Sequence, residues 1–133
     1  MNEGGAVSAL VGLRAAIGVG SWATPRLAAR LFGLDAGANP QSPYLARLFG
    51  VRDLALAWGA MGAEGASRRQ WIAVGVACDG ADALAGLAGG CGGYLSKRTS
   101  VLVTVTALAA AALGAAALRS PAVAEPDGSA AGF

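Results

Sequence analysis

The segment Thr99–Leu118 constrains the fold of this chain more than any other. It has 20 residues, rich in Ala, Val and Leu, and none of them is charged. A membrane-spanning helix needs about 20 consecutive, mostly apolar residues, so this segment predicts a transmembrane helix. The composition agrees, since hydrophobic residues make up 55% of the chain and charged residues 14%, against about a quarter charged in soluble domains. We therefore expect a multi-pass membrane protein.

Three further apolar segments predict spans at residues 5–22, 44–61 and 71–89. Together with residues 99–118 they predict an all-α fold, a four-helix transmembrane bundle occupying residues 1–119. Residues 120–133 contain Pro, Gly, Ala and two acids, which is typical of a disordered tail. The location that follows is a cell membrane. Four spans place both termini on one side, and a slight excess of Lys and Arg on the other loops favours termini outside the cell.

A short interfacial helix is predicted at residues 25–32, directly after the first span. Thr24 and Pro25 are typical of a helix start and Gly33 of a helix end. Two arginines, Arg26 and Arg30, fall on one face, while Leu27 and Leu31 fall on another. That pattern suits a helix lying among lipid headgroups, and it suits an ordinary connector equally well.

The residue types present exclude several kinds of site. The chain has no His, which excludes His-liganded zinc or haem and His-based catalytic triads. Its net charge of +2 is too small for a nucleic-acid-binding surface. Cys78 and Cys91 would lie about 20 Å apart along one helix, so no disulfide between them is expected. We expect no metal and no cofactor.

Six charged residues lie inside the predicted spans, at comparable depths. Each would cost roughly 2.5–3.5 kcal/mol at the centre of an isolated helix, and five or six together on the order of 12–20 kcal/mol. They must therefore pair, face a watery cavity, or be partly neutralised. The cluster is a candidate for binding or for a purely structural role: Arg14, Arg47, Arg52, Asp53, Asp79 and Asp82.

Helical geometry predicts partners within this cluster. Arg52 lies about 100° around the helix from Asp53, so the two are not expected to form a good ion pair with each other. Arg52 is instead expected to pair with Asp79 or Asp82. Arg14 should face Asp53 or the remaining acid of the third span. Arg47 is about 7.5 Å nearer the interface than Arg52 and can extend its side chain there.

Small residues follow the same faces as the acids. Gly50 in the second span, with Gly75 and Gly86 in the third, falls on stripes that also contain Asp53 and Asp79. Such stripes let helix backbones approach closely in membranes. These three glycines are therefore predicted to be helix-packing positions, and the fourth helix is expected to pack through small residues as well.

A family resemblance rests on Tyr44–Gly59 (YLARLFGVRDLALAWG) and on the DGAD sequence of Asp79–Asp82. The chain resembles families of small four-helix bacterial integral membrane proteins of unknown function. In them an arginine-rich stretch enters the second helix and an acidic motif lies in the third. The resemblance implies the four-helix fold and no activity.

Three functions fit these patterns. The first is a structural or partner-binding membrane subunit, in contact with the lipid bilayer and with another copy of itself or a different membrane protein. The second is a small proton-coupled carrier that uses the acids at the centre of the membrane. The third is an intramembrane enzyme acting on a lipophilic substrate through two carboxylates three residues apart. The residues alone do not decide whether the chain is an enzyme.

Overall fold

The computed structural model describes residues 3–120, and within that range the chain is all-helical. It forms five α-helices and no strand: α1 (Glu3–Ala23), α2 (Pro25–Leu31), α3 (Ser42–Gly62), α4 (Gly65–Cys91) and α5 (Lys97–Arg119). The predicted all-α class is thus confirmed. The tail predicted to be disordered falls, from residue 121 onward, outside the described residues.

Three of these helices are long and apolar enough to cross a membrane: Gly4–Ala23 of α1, all of α4 and all of α5. α3 has 21 residues, as many as α1. It differs in carrying three charges, Arg47, Arg52 and Asp53. The composition of three helices therefore supports a membrane protein, while α3 lacks this apolar signature.

α4 is longer than predicted, because it begins at Gly65 and not at Trp71. Only Ala63 and Glu64 separate it from α3. Gly65 has φ 53°, a left-handed conformation that glycine adopts without strain and that permits the sharp reversal. The polar residues between the predicted spans 44–61 and 71–89 therefore lie mostly in the first turns of α4. There the Nε of Arg68 donates to the carbonyls of Ala60 and Ala63.

α2 lies close to its predicted position, ending at Leu31 instead of Phe32. Thr24, predicted to cap it, makes no side-chain cap; its hydroxyl donates to the Gly20 carbonyl at the end of α1. Phe32 is the C-cap, and Gly33, predicted to terminate the helix, follows it with φ 80°. Leu27 and Leu31 are exposed, as are Arg26 and Arg30, while Ala28 and Ala29 are buried.

The four long helices form a square bundle. α1 packs against α3 and α5, and α4 packs against the same two helices, so α1 and α4 occupy opposite corners. α2 packs on α1 and α3. We call the end of the bundle at which α2 lies, where α1 ends and α5 begins, the α2 end. The opposite end, where α3 turns into α4, is called the distal end.

The hydrophobic core lies toward the distal end. It is built from small side chains and a few larger ones, with members from all four long helices: Ala6, Leu10, Ala60, Ile72, Ala110 and Ala117. Alanines allow helices to lie close together, which suits a bundle whose outer faces are also apolar. Trp58 and Leu84, for example, are 77% and 69% exposed on that outer surface.

Two of the predicted packing glycines lie at close helix contacts. A Cβ on Gly50 would lie 2.8 Å from the Gly18 carbonyl oxygen, so the α1 and α3 backbones touch there. A Cβ on Gly86 would lie 2.6 Å from Thr104 Oγ1 on α5. The same contact includes a hydrogen bond from the Ser100 hydroxyl to the Gly86 carbonyl. α5 thus packs on α4 through small residues, as predicted.

Candidate functional site

Arg14 and Asp79 form a bidentate ion pair across the centre of the bundle. Arg14 Nη2 lies 2.6 Å from Asp79 Oδ2, and Nη1 lies 3.4 Å from Oδ1. Both residues are only 3% exposed. A guanidinium and a carboxylate in this forked geometry match each other in shape and charge, so each satisfies the other.

Arg52 and Asp82 form a second bidentate pair, between α3 and α4. Arg52 Nη1 lies 2.9 Å from Asp82 Oδ1, and Nη2 lies 2.6 Å from Oδ2. This pair is more accessible than the first, since its side chains are 31% and 20% exposed. The face of the Phe49 ring covers the Arg52 guanidinium at 4.9 Å.

Asp53 lies between the two pairs and contacts both arginines. Arg14 Nη1 at 3.2 Å and Arg52 Nη2 at 3.4 Å approach the same atom, Asp53 Oδ1. Neither reaches Oδ2, which receives no hydrogen bond from any residue between 3 and 120. Three acids share two arginines, so the formal charge of the group is −1, and the excess belongs to Asp53.

Arg14 reaches its partner across a diagonal of the bundle. The backbones of α1 and α4 do not come into contact, and the long arginine side chain spans the space between them. Gly75 makes room for it, because a Cβ there would lie 2.7 Å from Arg14 Nη2. Gly75 was predicted to bring two helices together. The structure gives it a different role, because it accommodates a charged side chain.

A cavity of about 180 Å³ adjoins the ion pairs and extends toward the α2 end. Four helices and the α2 segment contribute to its lining, which is mostly apolar. At one side lie Arg14, Arg52, Asp53, Asp79 and Asp82. The rest consists of Leu13, Ile17, Ser21, Ala28, Ala29, Phe32, Leu34, Ser42, Leu45, Ala46, Phe49, Val103, Thr106, Ala107 and Ala110.

Two polar atoms of the cavity lining are buried without a partner in the described chain. They are Ser42 Oγ, on a residue 3% exposed, and Arg52 Nε. A buried polar group without a hydrogen bond costs about 1–3 kcal/mol, and native proteins contain few of them. Together with Asp53 Oδ2, which accepts no hydrogen bond from the described residues, these atoms give the cavity unpaired polar groups within its apolar walls.

Five of the six charges predicted to form a cluster meet in it; Arg47 does not. Arg47 is exposed, and its Nε donates to the Trp22 carbonyl at 3.3 Å. Its guanidinium also lies 5.7 Å from the centre of the Trp22 ring. The reason is axial distance: Arg47 lies near the start of α3, where the end of α1 is the nearest partner. Removing it from the cluster changes the predicted balance of three against three to two positive and three negative charges.

Arg52 was predicted to pair with Asp79 or Asp82, and it pairs with Asp82. Arg14 was predicted to face Asp53 or the remaining acid of α4, and it contacts both Asp53 and Asp79. Arg52 was expected to find its partner on another helix and not in Asp53, and its shortest ion pair is indeed with Asp82 on α4. It also makes a longer contact with Asp53, at 3.4 Å, which was not predicted. Their directions around α3 do differ, but a guanidinium on a long, flexible stem can turn back to a neighbouring carboxylate while holding its main partner.

The contribution of α1 beyond Arg14 was not predicted from the sequence. Leu10, Arg14, Gly18 and Ser21 are all buried and recur at spacings of four, four and three, the spacing of one helix face. The same reasoning that found the stripes on α3 and α4 would have found this one. The contribution of α5 to the cavity had no comparable charge signal, because that helix has no charged residue between Thr99 and Leu118.

Within residues 3–120 there is no group of three or more Asp, Glu or Cys side chains arranged to hold a metal ion. The arginines between the acids explain this, since they occupy the carboxylate oxygens that a cation would need. Cys78 and Cys91 are both free, as expected from their spacing.

No family model matches the chain, and neither does any curated protein or solved structure. The case for its function therefore depends on the geometry of the ion pairs and the cavity.

Proposed function

We propose that this chain is a four-span protein of the cell membrane that binds a small, mostly apolar molecule in the cavity beside Asp53. The observation that carries the proposal is a cavity of about 180 Å³ with apolar walls and an unpaired carboxylate oxygen at one side. Binding sites for small molecules are commonly of this kind, apolar with a few convergent polar groups.

The topology supports a fourth span at α3. α1 and α4 are both apolar enough to cross a membrane, and both run toward the α2 end. The chain must therefore return to the distal end between them, and α3 is the helix that does so. Its 21 residues extend about 31 Å, close to the thickness of the hydrocarbon core. Of its charges, Arg52 pairs with Asp82 on α4, Asp53 is contacted by Arg14 and Arg52, and Arg47 lies near the helix start, from which its side chain can reach the membrane interface. The resemblance to small four-helix bacterial membrane proteins implies the same count.

The size of the cavity supports a small occupant. An engineered apolar cavity of about 150 Å³ in another protein holds benzene, so the space here suits a single ring or a short branched chain. The unpaired atoms of Asp53, Ser42 and Arg52 would give such a molecule its orientation. They also suit ordered water, which would share the space in the unliganded state.

Native mass spectrometry of the protein released from lipid nanodiscs tests this proposal. We expect a reproducible small-molecule adduct on the wild-type protein. Ala107→Leu should remove it, because the larger side chain enters the cavity. Ala109→Leu is the matched control, the same change on the exposed face of α5, and should keep the adduct. Spectra that contain only bare protein, in both variants and in the wild type, would contradict the proposal.

A second candidate is a structural or partner-binding subunit, in which the ion pairs serve only to fix the helices. The observation that favours it is that the pairs join α1, α3 and α4. Buried ion pairs can specify which elements meet. The same spectra distinguish the two functions: masses of this chain in multiples, or with another polypeptide and without a small adduct, would favour the subunit.

A further inference from the structure

We infer that the occupant of the cavity is a lipophilic organic cation, such as a protonated amine on a single apolar ring. This inference depends on the proposed function, because it names the chemical class that the same cavity would take. It is drawn from the arrangement of the four other charges around Asp53 and from the walls of the cavity.

The first step concerns charge. Arg14 and Asp79 form one bidentate pair, and Arg52 and Asp82 form another, so each pair is neutral. Asp53 is the fifth member and has no arginine of its own, although it is only 6% exposed. An uncompensated charge at this depth is unfavourable. A positively charged occupant offsets it; a neutral one leaves it in place, and an anionic one adds to it.

The second step concerns the atom that would receive the cation. Both arginines approach Oδ1 of Asp53, at 3.2 and 3.4 Å. Oδ2 of the same carboxylate receives no donor from the described part of the chain, and Asp53 belongs to the cavity lining. An ammonium group has three donors and no acceptor, so it suits a lone carboxylate oxygen.

The third step excludes a metal ion as the occupant. Calcium and magnesium require six or more oxygen ligands. Here the carboxylates of Asp79 and Asp82 are held by arginines, and residues 3–120 contain no cluster suited to a metal. The walls beside Asp53 are apolar side chains such as Ile17, Leu45 and Phe49. They favour an organic cation with a hydrocarbon body over a hydrated inorganic one.

The position of the second ion pair suggests how a cation would enter. Arg52 and Asp82 are partly exposed, whereas Arg14 and Asp79 are almost fully buried. The cavity therefore meets the outer surface between α3 and α4. Phe49, 47% exposed, lies at the same place. An amine dissolved in the bilayer would reach Asp53 past these side chains without crossing the packed distal end.

Three probes that share one ring test the inference: benzylammonium, benzyl alcohol and benzoate. Binding to the protein in phosphatidylcholine nanodiscs is measured by saturation-transfer NMR, with empty nanodiscs subtracted. We expect benzylammonium to bind about ten- to hundredfold more tightly than benzyl alcohol, the range of a charge-assisted hydrogen bond. Benzoate should bind weakest. Asp53→Asn should make benzylammonium and benzyl alcohol equal, and Arg47→Gln, outside the cluster, should leave the preference unchanged.

The outcomes separate this inference from the proposed function. Equal binding of benzylammonium and benzyl alcohol to the wild type would overturn the cation and keep the small-molecule site. If benzylammonium and benzyl alcohol also bound equally from neutral to mildly alkaline pH, the result would mean that Asp53 is protonated and carries no charge for a cation to offset. Absence of binding by all three probes would overturn both proposals. Because the comparison among probes uses the wild-type protein, it remains decisive even if Asp53→Asn fails to fold.

Discussion

The two ends of the bundle are built from the same helices and differ in how they fill the space between them. At the distal end, alanines and a few larger side chains from all four long helices form the hydrophobic core. Toward the α2 end the same helices line a cavity of about 180 Å³, and the ion pairs lie at the boundary. The close-packed end holds the helix axes in place. The side chains of Arg14 and Arg52 can then meet carboxylates on other helices across an open space.

The largest expected effect is at this boundary. Arg14→Gln leaves Asp53 and Asp79 buried without their shared cation. Removing one partner of a buried ion pair costs about 3–5 kcal/mol, so we expect a loss of that size in the free energy of unfolding. It is measured by reversible unfolding in mixed detergent micelles. Arg47→Gln is the control, since Arg47 is exposed and pairs with none of the acids. Equal losses in the two variants would show that the cluster does not stabilise the fold.

Two alanines on α5 test the difference in packing directly. Ala117 is 1% exposed in the distal core, and Ala107, 7% exposed, lines the cavity. Overpacking a filled core costs about 1–3 kcal/mol, so Ala117→Leu should lower the unfolding free energy by that amount. Ala107→Leu should change it by less than about 1 kcal/mol, because its side chain enters free space. The same unfolding assay gives both values. If Ala107→Leu were the more harmful, the cavity would not exist as described.

Much of this comparison could be predicted from the sequence, and part of it could not. The apolar runs and the glycine stripes predicted the helices, and the depths of Arg14, Asp53 and Asp79 predicted that they would meet. The sequence does not show which carboxylate oxygen receives which nitrogen, so it could not predict that Asp53 is left in excess. Arg47 was assigned to the cluster because depth alone does not reveal that the end of α1 is nearer. The cavity depends on tertiary packing of α5, which has no charged residue between Thr99 and Leu118 to indicate that part of it lines a site.

The α2 end also contains a tight contact, between Gly18 on α1 and Gly50 on α3. Gly50→Ala places a Cβ against a backbone carbonyl, which cannot rotate away, so the two helices must separate. We expect a loss of about 1–2 kcal/mol in unfolding free energy, within the usual cost of overpacking. Gly12→Ala on α1 is the control, since nothing lies near its Cβ position. It should be neutral or stabilise the helix by up to about 1 kcal/mol. A similar result for both would mean that the α1 and α3 backbones are not in direct contact at Gly18 and Gly50.

The smallest effects concern the arginines that bind helix ends. At the distal end the half-buried Arg68 donates to two carbonyls at the end of α3. At the α2 end the exposed Arg47 donates to one carbonyl at the end of α1. A cation at a helix C-terminus contributes about 0.3–1 kcal/mol when exposed and more when partly buried. Arg68→Gln should therefore lower the unfolding free energy by about 1 kcal/mol, and Arg47→Gln by about half as much.

Amide hydrogen exchange gives the sharper measurement, because it reports the last turns of α3 and α1 separately. Faster exchange confined to the last turn of α3 in Arg68→Gln would show that this contact stabilises the turn between α3 and α4 at the distal end. If exchange in the last turn of α3 in Arg68→Gln rose only as much as exchange in the last turn of α1 in Arg47→Gln, burial at the distal end would not strengthen a hydrogen bond at a helix terminus. The two ends of the bundle would then differ only in side-chain packing.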